Sequence, residues 1–175
     1  MNRIVVAVAF AIYVATIVIG GWQAYSPAEQ AVYRTIAEHV ADLKIQPRIV
    51  AVSYPSTCRE TRKRIPEMPD ELLAEFLKVN AEGARPLRLR AIEDTLPTIA
   101  WDVNQQFFQR PELLLGRVGE EGLLALSRVG ISQDGKRALL CVQSLSQRFS
   151  RGSLFYYERD QGGWALRHII DAWIT

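Results

Sequence analysis

The sequence predicts an α+β protein: an N-terminal transmembrane helix, then one domain in which helices pack on a C-terminal antiparallel β-meander. Three observations lead there. Residues 4–19 carry no charge. Two later segments repeat apolar residues at helical spacing. The last third holds four runs rich in apolar, β-branched and aromatic residues, separated by Asp-Gly and Gly-Gly turns.

The apolar start decides the setting. About 20 helical residues cross a hydrocarbon core of about 30 Å, and Gly20, Gly21 and Trp22 extend the uncharged run to that length. A signal peptide has a shorter apolar region, followed by small residues at its cleavage site. A cut after Gly20 would use Val18, a poor fit, and Trp22 spoils the next register. Trp22 and Tyr25 suit an aromatic pair at the membrane interface. Arg3 is the one basic side chain ahead of the segment, which favours a cytoplasmic N-terminus. The expected layout is a single-pass anchor at 1–25 and a periplasmic or otherwise extracytoplasmic domain at 26–175.

Ser26-Pro27-Ala28-Glu29 starts a helix: Ser26 caps it, Pro27 fits its first position, and Glu29 reaches back to complete a capping box. Val32, Ile36, Val40 and Leu43 then form one apolar stripe, predicting a helix over 27–43. That stripe packs on a partner protein or on its own domain. RIVAVSY at 48–54 reads as a strand, followed by a basic loop containing Arg59, Arg62, Lys63 and Arg64. A helix is expected at 70–81, with Leu72, Leu73, Phe76 and Leu77 on one face. Alternation of leucine and arginine marks a half-exposed strand at 87–91, and a short helix is expected at 99–109.

The four C-terminal runs are GLLALSRVGI, KRALLCVQSL, SLFYYERD and WALRHIIDAWIT. Ser132-Gln133-Asp134-Gly135 and Asp160-Gln161-Gly162-Gly163 carry the turn chemistry of antiparallel hairpins.

Charge and cysteines bound the partners. Twenty-one basic residues against 19 acidic leave a net +2, so no general attraction to nucleic acid is implied. Cys58 and Cys141 are either a disulfide, favoured outside the cytoplasm and contributing roughly 4 kcal/mol, or two free thiols. The basic loop at 59–64 is a solvated loop or a contact for anionic lipid or an acidic partner.

The runs LSRVGISQDGKRALLCVQS and GSLFYYERDQGGWALRHIIDAWIT carry a resemblance. They are similar to the C-terminal block of a widespread group of uncharacterised exported bacterial proteins, in which a Leu-Ser-Arg-Val-Gly strand precedes an Ala-Leu-x-x-Val strand, and a Gly-x-Trp turn leads to a final Trp-Ile-Ser. The matching residues run from Leu126 to Gly130 and from Ala138 to Val142, then include Gly152, Gly163-Trp164 and Trp173 to Thr175. FLKVNAEG and FFQRPE resemble that group's helix ends, extending the likeness over most of 70–175. The group's polar or cysteine-bearing glycine turn is replaced here by Gln147-Arg148-Phe149-Ser150-Arg151. The resemblance implies a fold and export, and no reaction.

No catalytic, cofactor-binding or metal motif outweighs its bland alternative. His39, His168, Cys58 and Cys141 number enough for zinc but include no local ligand pair. Ser127, His168 and Asp171 suggest a triad, yet Ser127 sits within a strand run rather than on a nucleophile elbow. The glycines from Gly116 to Gly122 lack the spacing of a phosphate loop and include Glu120-Glu121. Arg128 lies in line with Leu124 and Leu126, so it needs a carboxylate partner; Asp171, Glu158 or Asp160 could supply it.

The expected function is therefore a non-enzymatic accessory or scaffolding subunit. It would sit in the lipid bilayer, carry no cofactor and contact membrane-protein complex partners through its outer domain. Respiratory or photosynthetic electron-transport complexes are the expected context, which no motif specifies. The alternative is a small-ligand-binding or hydrolytic periplasmic domain with a pocket containing Arg128, His168 or Asp171.

Overall fold

A computed structural model describes residues 25–41, 48–53, 58, 68–81, 85–86, 98–99, 122–145 and 150–174. Helix α1 (Pro27–Ala41) begins as its sequence requires. Glu29 N donates to Ser26 Oγ (3.1 Å), and Ser26 N donates to Glu29 Oε2 (3.2 Å), so two otherwise orphaned donors are satisfied. Strand β1 (Arg48–Ser53) follows, then helix α2 (Asp70–Val79) and the two-residue strands β2 (Arg85–Pro86) and β3 (Thr98–Ile99). The C-terminal part contains β4 (Leu123–Leu126), β5 (Gly130–Ile131), β6 (Arg137–Leu145), β7 (Ser150–Asp160) and β8 (Gly163–Ile174).

Among the described residues these strands make one sheet in the order β2-β1-β4-β6-β7-β8, with β3 also paired to β1 and β5 to β6. The antiparallel meander is β4-β6-β7-β8: Leu126 opposes Val142, Cys141 opposes Leu154, and Phe155 opposes Ile169. The sheet is nevertheless mixed. β1 runs parallel to β4, with Ile49 opposite Leu124, a pairing that no turn signal announces because parallel neighbours need a long crossover. Ile99, expected in a helix, pairs in β3 with Val50. The rest of that expected helix and the strand at 87–91 lie outside the described residues.

Helices cover both faces of the sheet. β6 explains why. Ala138, Leu140 and Val142 face α1, while Leu139 and Cys141 face α2, and every one of them is buried. On β7, Tyr157 and Phe155 join the α1 side; Tyr156 and Leu154 join the α2 side. A strand apolar in both registers buries both faces. The approach of α2 is tight at β5, where a Cβ on Gly130 would lie 2.5 Å from the Phe76 Cα.

No helix among the described residues is long and apolar enough to cross a membrane. The anchor expected within 1–25 lies outside them apart from Tyr25, as do Trp22, Arg59, Arg62, Lys63 and Arg64.

Candidate functional site

The polar residues singled out from the sequence meet different ends. Arg128 is partly buried and paired, but its carboxylate is Glu29, not Asp171, Glu158 or Asp160. Glu29 Oε1 and Oε2 accept from Arg128 Nε and Nη2, both at 3.1 Å. β4 ends at Leu126, so the chain at Arg128 has left the strand and turns toward the start of α1. The guanidinium also lies over the Tyr25 ring, 5.1 Å from its centroid. Burial alone pushes the Arg128 pKa down; the Glu29 hydrogen bonds and charge outweigh it, so the guanidinium stays firmly protonated.

Tyr25, expected at a membrane interface, lies in the core of the domain. It is 7% exposed, packs edge-on against Tyr33 at 5.8 Å and belongs to the domain core. Val32, Ile36 and Val40, offered as partner contacts, are buried in the same core beside Leu124, Leu126 and Leu140. The stripe packs on its own sheet because that face of β4, β6 and β7 is apolar.

The segment 127–129 is clamped from both sides. The Tyr33 hydroxyl donates to Ser127 O (2.8 Å); Asn80 Nδ2 donates to Arg128 O (3.0 Å), and Arg128 N donates to Asn80 Oδ1 (2.9 Å). Burial pushes the Tyr33 phenol well above its ordinary pKa, with Tyr25 and Glu29 adding to the effect.

The imagined triad does not assemble. Ser127 is 2% exposed; its Oγ accepts from Cys141 N and donates to Arg128 O, both 2.9 Å. His168 stacks against Tyr156 at 5.9 Å on the α2 side. Asp171 lies on β8 opposite Ser153, accepts from its Oγ (3.0 Å) and holds Arg151. Cys58 and Cys141 are joined in a disulfide, with both residues 1% exposed. Those sulfurs are therefore not thiolate ligands for zinc.

What the fold does assemble is a groove of ≈ 200 Å³ between the C-terminal half of α1 and the ends of the meander. Ile36, Val40, Leu124, Val142, Phe155 and Ile169 supply its apolar wall. His39, Ser144, Arg151 and Ser153 supply its polar atoms. Ser144 and Arg151 stand directly opposite each other in the β6–β7 register. Arg151 donates to Asp171 Oδ1 through Nε (2.7 Å) and Nη2, and Asp171 is not one of the lining residues.

No family model, curated protein or solved structure matches the chain.

The groove can hold a small apolar body beneath a cation. Arg151 and Ile169 carried no functional signal in the sequence, yet each had a trace. Ile169 lies in the run Arg-His-Ile-Ile-Asp, where two successive isoleucines place one on each face of an edge strand. Arg151 and Asp171 are 20 residues apart on neighbouring hairpin strands, where a cross-strand ion pair can form.

Proposed function

We propose that the chain is a non-enzymatic accessory subunit, anchored by its N-terminal apolar segment, with its α+β domain outside the cytoplasm and in contact with partner proteins. The observation that carries this reading is β8. It has 12 residues, closes the strand order, and pairs among the described strands with β7. An edge strand offers a row of backbone donors and acceptors to a partner, and Ile169 on it is 48% exposed. The buried disulfide supports the location, since such bonds persist in oxidising compartments. The likeness to exported bacterial proteins points the same way.

Tyr25 sits in the core, three residues after Trp22 at the end of the apolar segment. An anchored chain of this design holds its domain directly against the bilayer, in reach of membrane-complex subunits. The test is extraction in mild detergent followed by native purification and intact-mass measurement. Co-migration of the uncleaved chain with a larger assembly is expected. A processed monomer beginning near Trp22 would overturn the reading.

The groove favours a second reading, a small-ligand-binding domain. Its hydrolytic form loses its candidates, because Ser127 is buried and His168 and Asp171 lie on opposite faces of the sheet.

A further inference from the structure

We infer that the groove between α1 and the meander binds a compact apolar anion, an aromatic or short-chain carboxylate. Size sets the scale. An apolar cavity of about 150 Å³ accepts benzene; the groove here, at ≈ 200 Å³, admits a fused bicyclic ring or a short acyl chain. Its apolar walls come from five elements: Ile36 and Val40 on α1, Leu124 on β4, Val142 on β6, Phe155 on β7 and Ile169 on β8.

Charge sets the sign. Arg151 lines the groove, whereas its counter-ion Asp171 does not. A guanidinium has five N–H donors in a fork suited to carboxylates. The hydrogen bonds to Asp171 use Nε and Nη2, and Nη1 keeps donors that those two bonds do not engage. Ser144, opposite Arg151 on the neighbouring strand, adds a hydroxyl beside it. A ligand carboxylate at that end places its apolar body against Ile36, Phe155 and Ile169. Burying that body removes the exposed surface of Ile169 from water, which is favourable in proportion to area. The site shares Ile169 with the β8 edge proposed to meet a protein partner, and ligand binding by the purified chain is measured apart from any such partner.

The probe is 1-naphthoate, titrated into the full-length chain in detergent micelles with isoleucine methyl groups labelled for NMR. The Ile36 and Ile169 methyl signals should shift saturably, while Ile170, on the α2 side of the sheet, stays in place. The neutral analogue 1-naphthalenemethanol should bind about tenfold more weakly, the loss of one charge-assisted contact. Arg151→Gln should weaken naphthoate by a similar factor. Asp171→Asn, which removes the competing anion and keeps a side chain of the same shape, should tighten it. The two variants moving in opposite directions distinguish ligand binding from damage to the fold. Equal binding of the neutral analogue, unmoved Ile36 and Ile169 signals, or affinity falling in both variants would overturn the inference. The measurement uses purified chain, so it succeeds or fails independently of co-migration with an assembly.

Discussion

Glu29, in the first turn of α1, and Arg128, just past β4, are 99 positions apart and joined by two hydrogen bonds. Their side chains are 6% and 15% exposed, and the same Glu29 carboxylate closes the capping box on Ser26. One acidic side chain therefore both starts the helix and fastens it to the sheet. Removing one member of such a pair strands a buried charge, at a cost of about 3–5 kcal/mol. Glu29→Leu should reach that range in urea unfolding. Adding Arg128→Met should recover much of the loss, because two apolar groups replace two ions. Additive losses in that double-mutant cycle would show the pair to be uncoupled.

The disulfide closes a separation of 83 residues. In the chain-entropy model a loop of that length contributes roughly 4 kcal/mol by restricting the unfolded chain. Replacing Cys58 and Cys141 by alanine together should lower stability by about that amount, read as a fall in the urea midpoint. Reductant should then leave the double variant unchanged while destabilising the parent. Identical midpoints for parent and variant would count against this role.

Gly130→Ala should cost about 1–3 kcal/mol, the usual penalty for overpacking. The new methyl would meet the Phe76 Cα at 2.5 Å, and backbone in a packed helix cannot yield cheaply. Gly162→Ala serves as the control. Its nearest neighbour is the Asp160 Oδ1 at 3.3 Å, the end of a side chain that can move, so the change should stay within about 0.5 kcal/mol. Thermal unfolding of both variants decides, and similar shifts would refute the close approach.

Stability should decline as pH rises above about 10, the ordinary tyrosine value. Burial holds the Tyr33 phenol well above that value, and burial raises Tyr157 as well. Above pH 10 the unfolded chain releases protons that the native state keeps, so unfolding becomes easier with each step in pH. Below that point the contribution of these groups is fully present. Tyr33→Phe should flatten the alkaline decline while costing about 1 kcal/mol at neutral pH through the lost bond to Ser127. An unchanged alkaline slope in that variant would remove Tyr33 from the account.

Elements whose signals lie close together in the chain were legible. The capping box at Ser26 and Glu29 announced α1, and Asp-Gly and Gly-Gly turns announced the hairpins. Leu124 and Leu126 beside Arg128 showed that the arginine would need a partner. The identity of that partner was not legible: the nearer carboxylates Glu158, Asp160 and Asp171 were equally reasonable, and Glu29 lies far upstream. The stripe of Val32, Ile36 and Val40 announced that a face must be covered without saying by what.

Taken alone, then, the order of residues determined the start of α1, the hairpins and the apolar face of α1, because capping, turn geometry and side-chain periodicity act over a few bonds. Tertiary structure decided that β1 lies parallel to β4, that helices cover both sheet faces, that Glu29 meets Arg128, and that Ile36, Arg151 and Ile169 line one groove. Those outcomes depend on burial and charge pairing between segments brought together only when the chain closes, and such pairings leave no fixed spacing in the sequence.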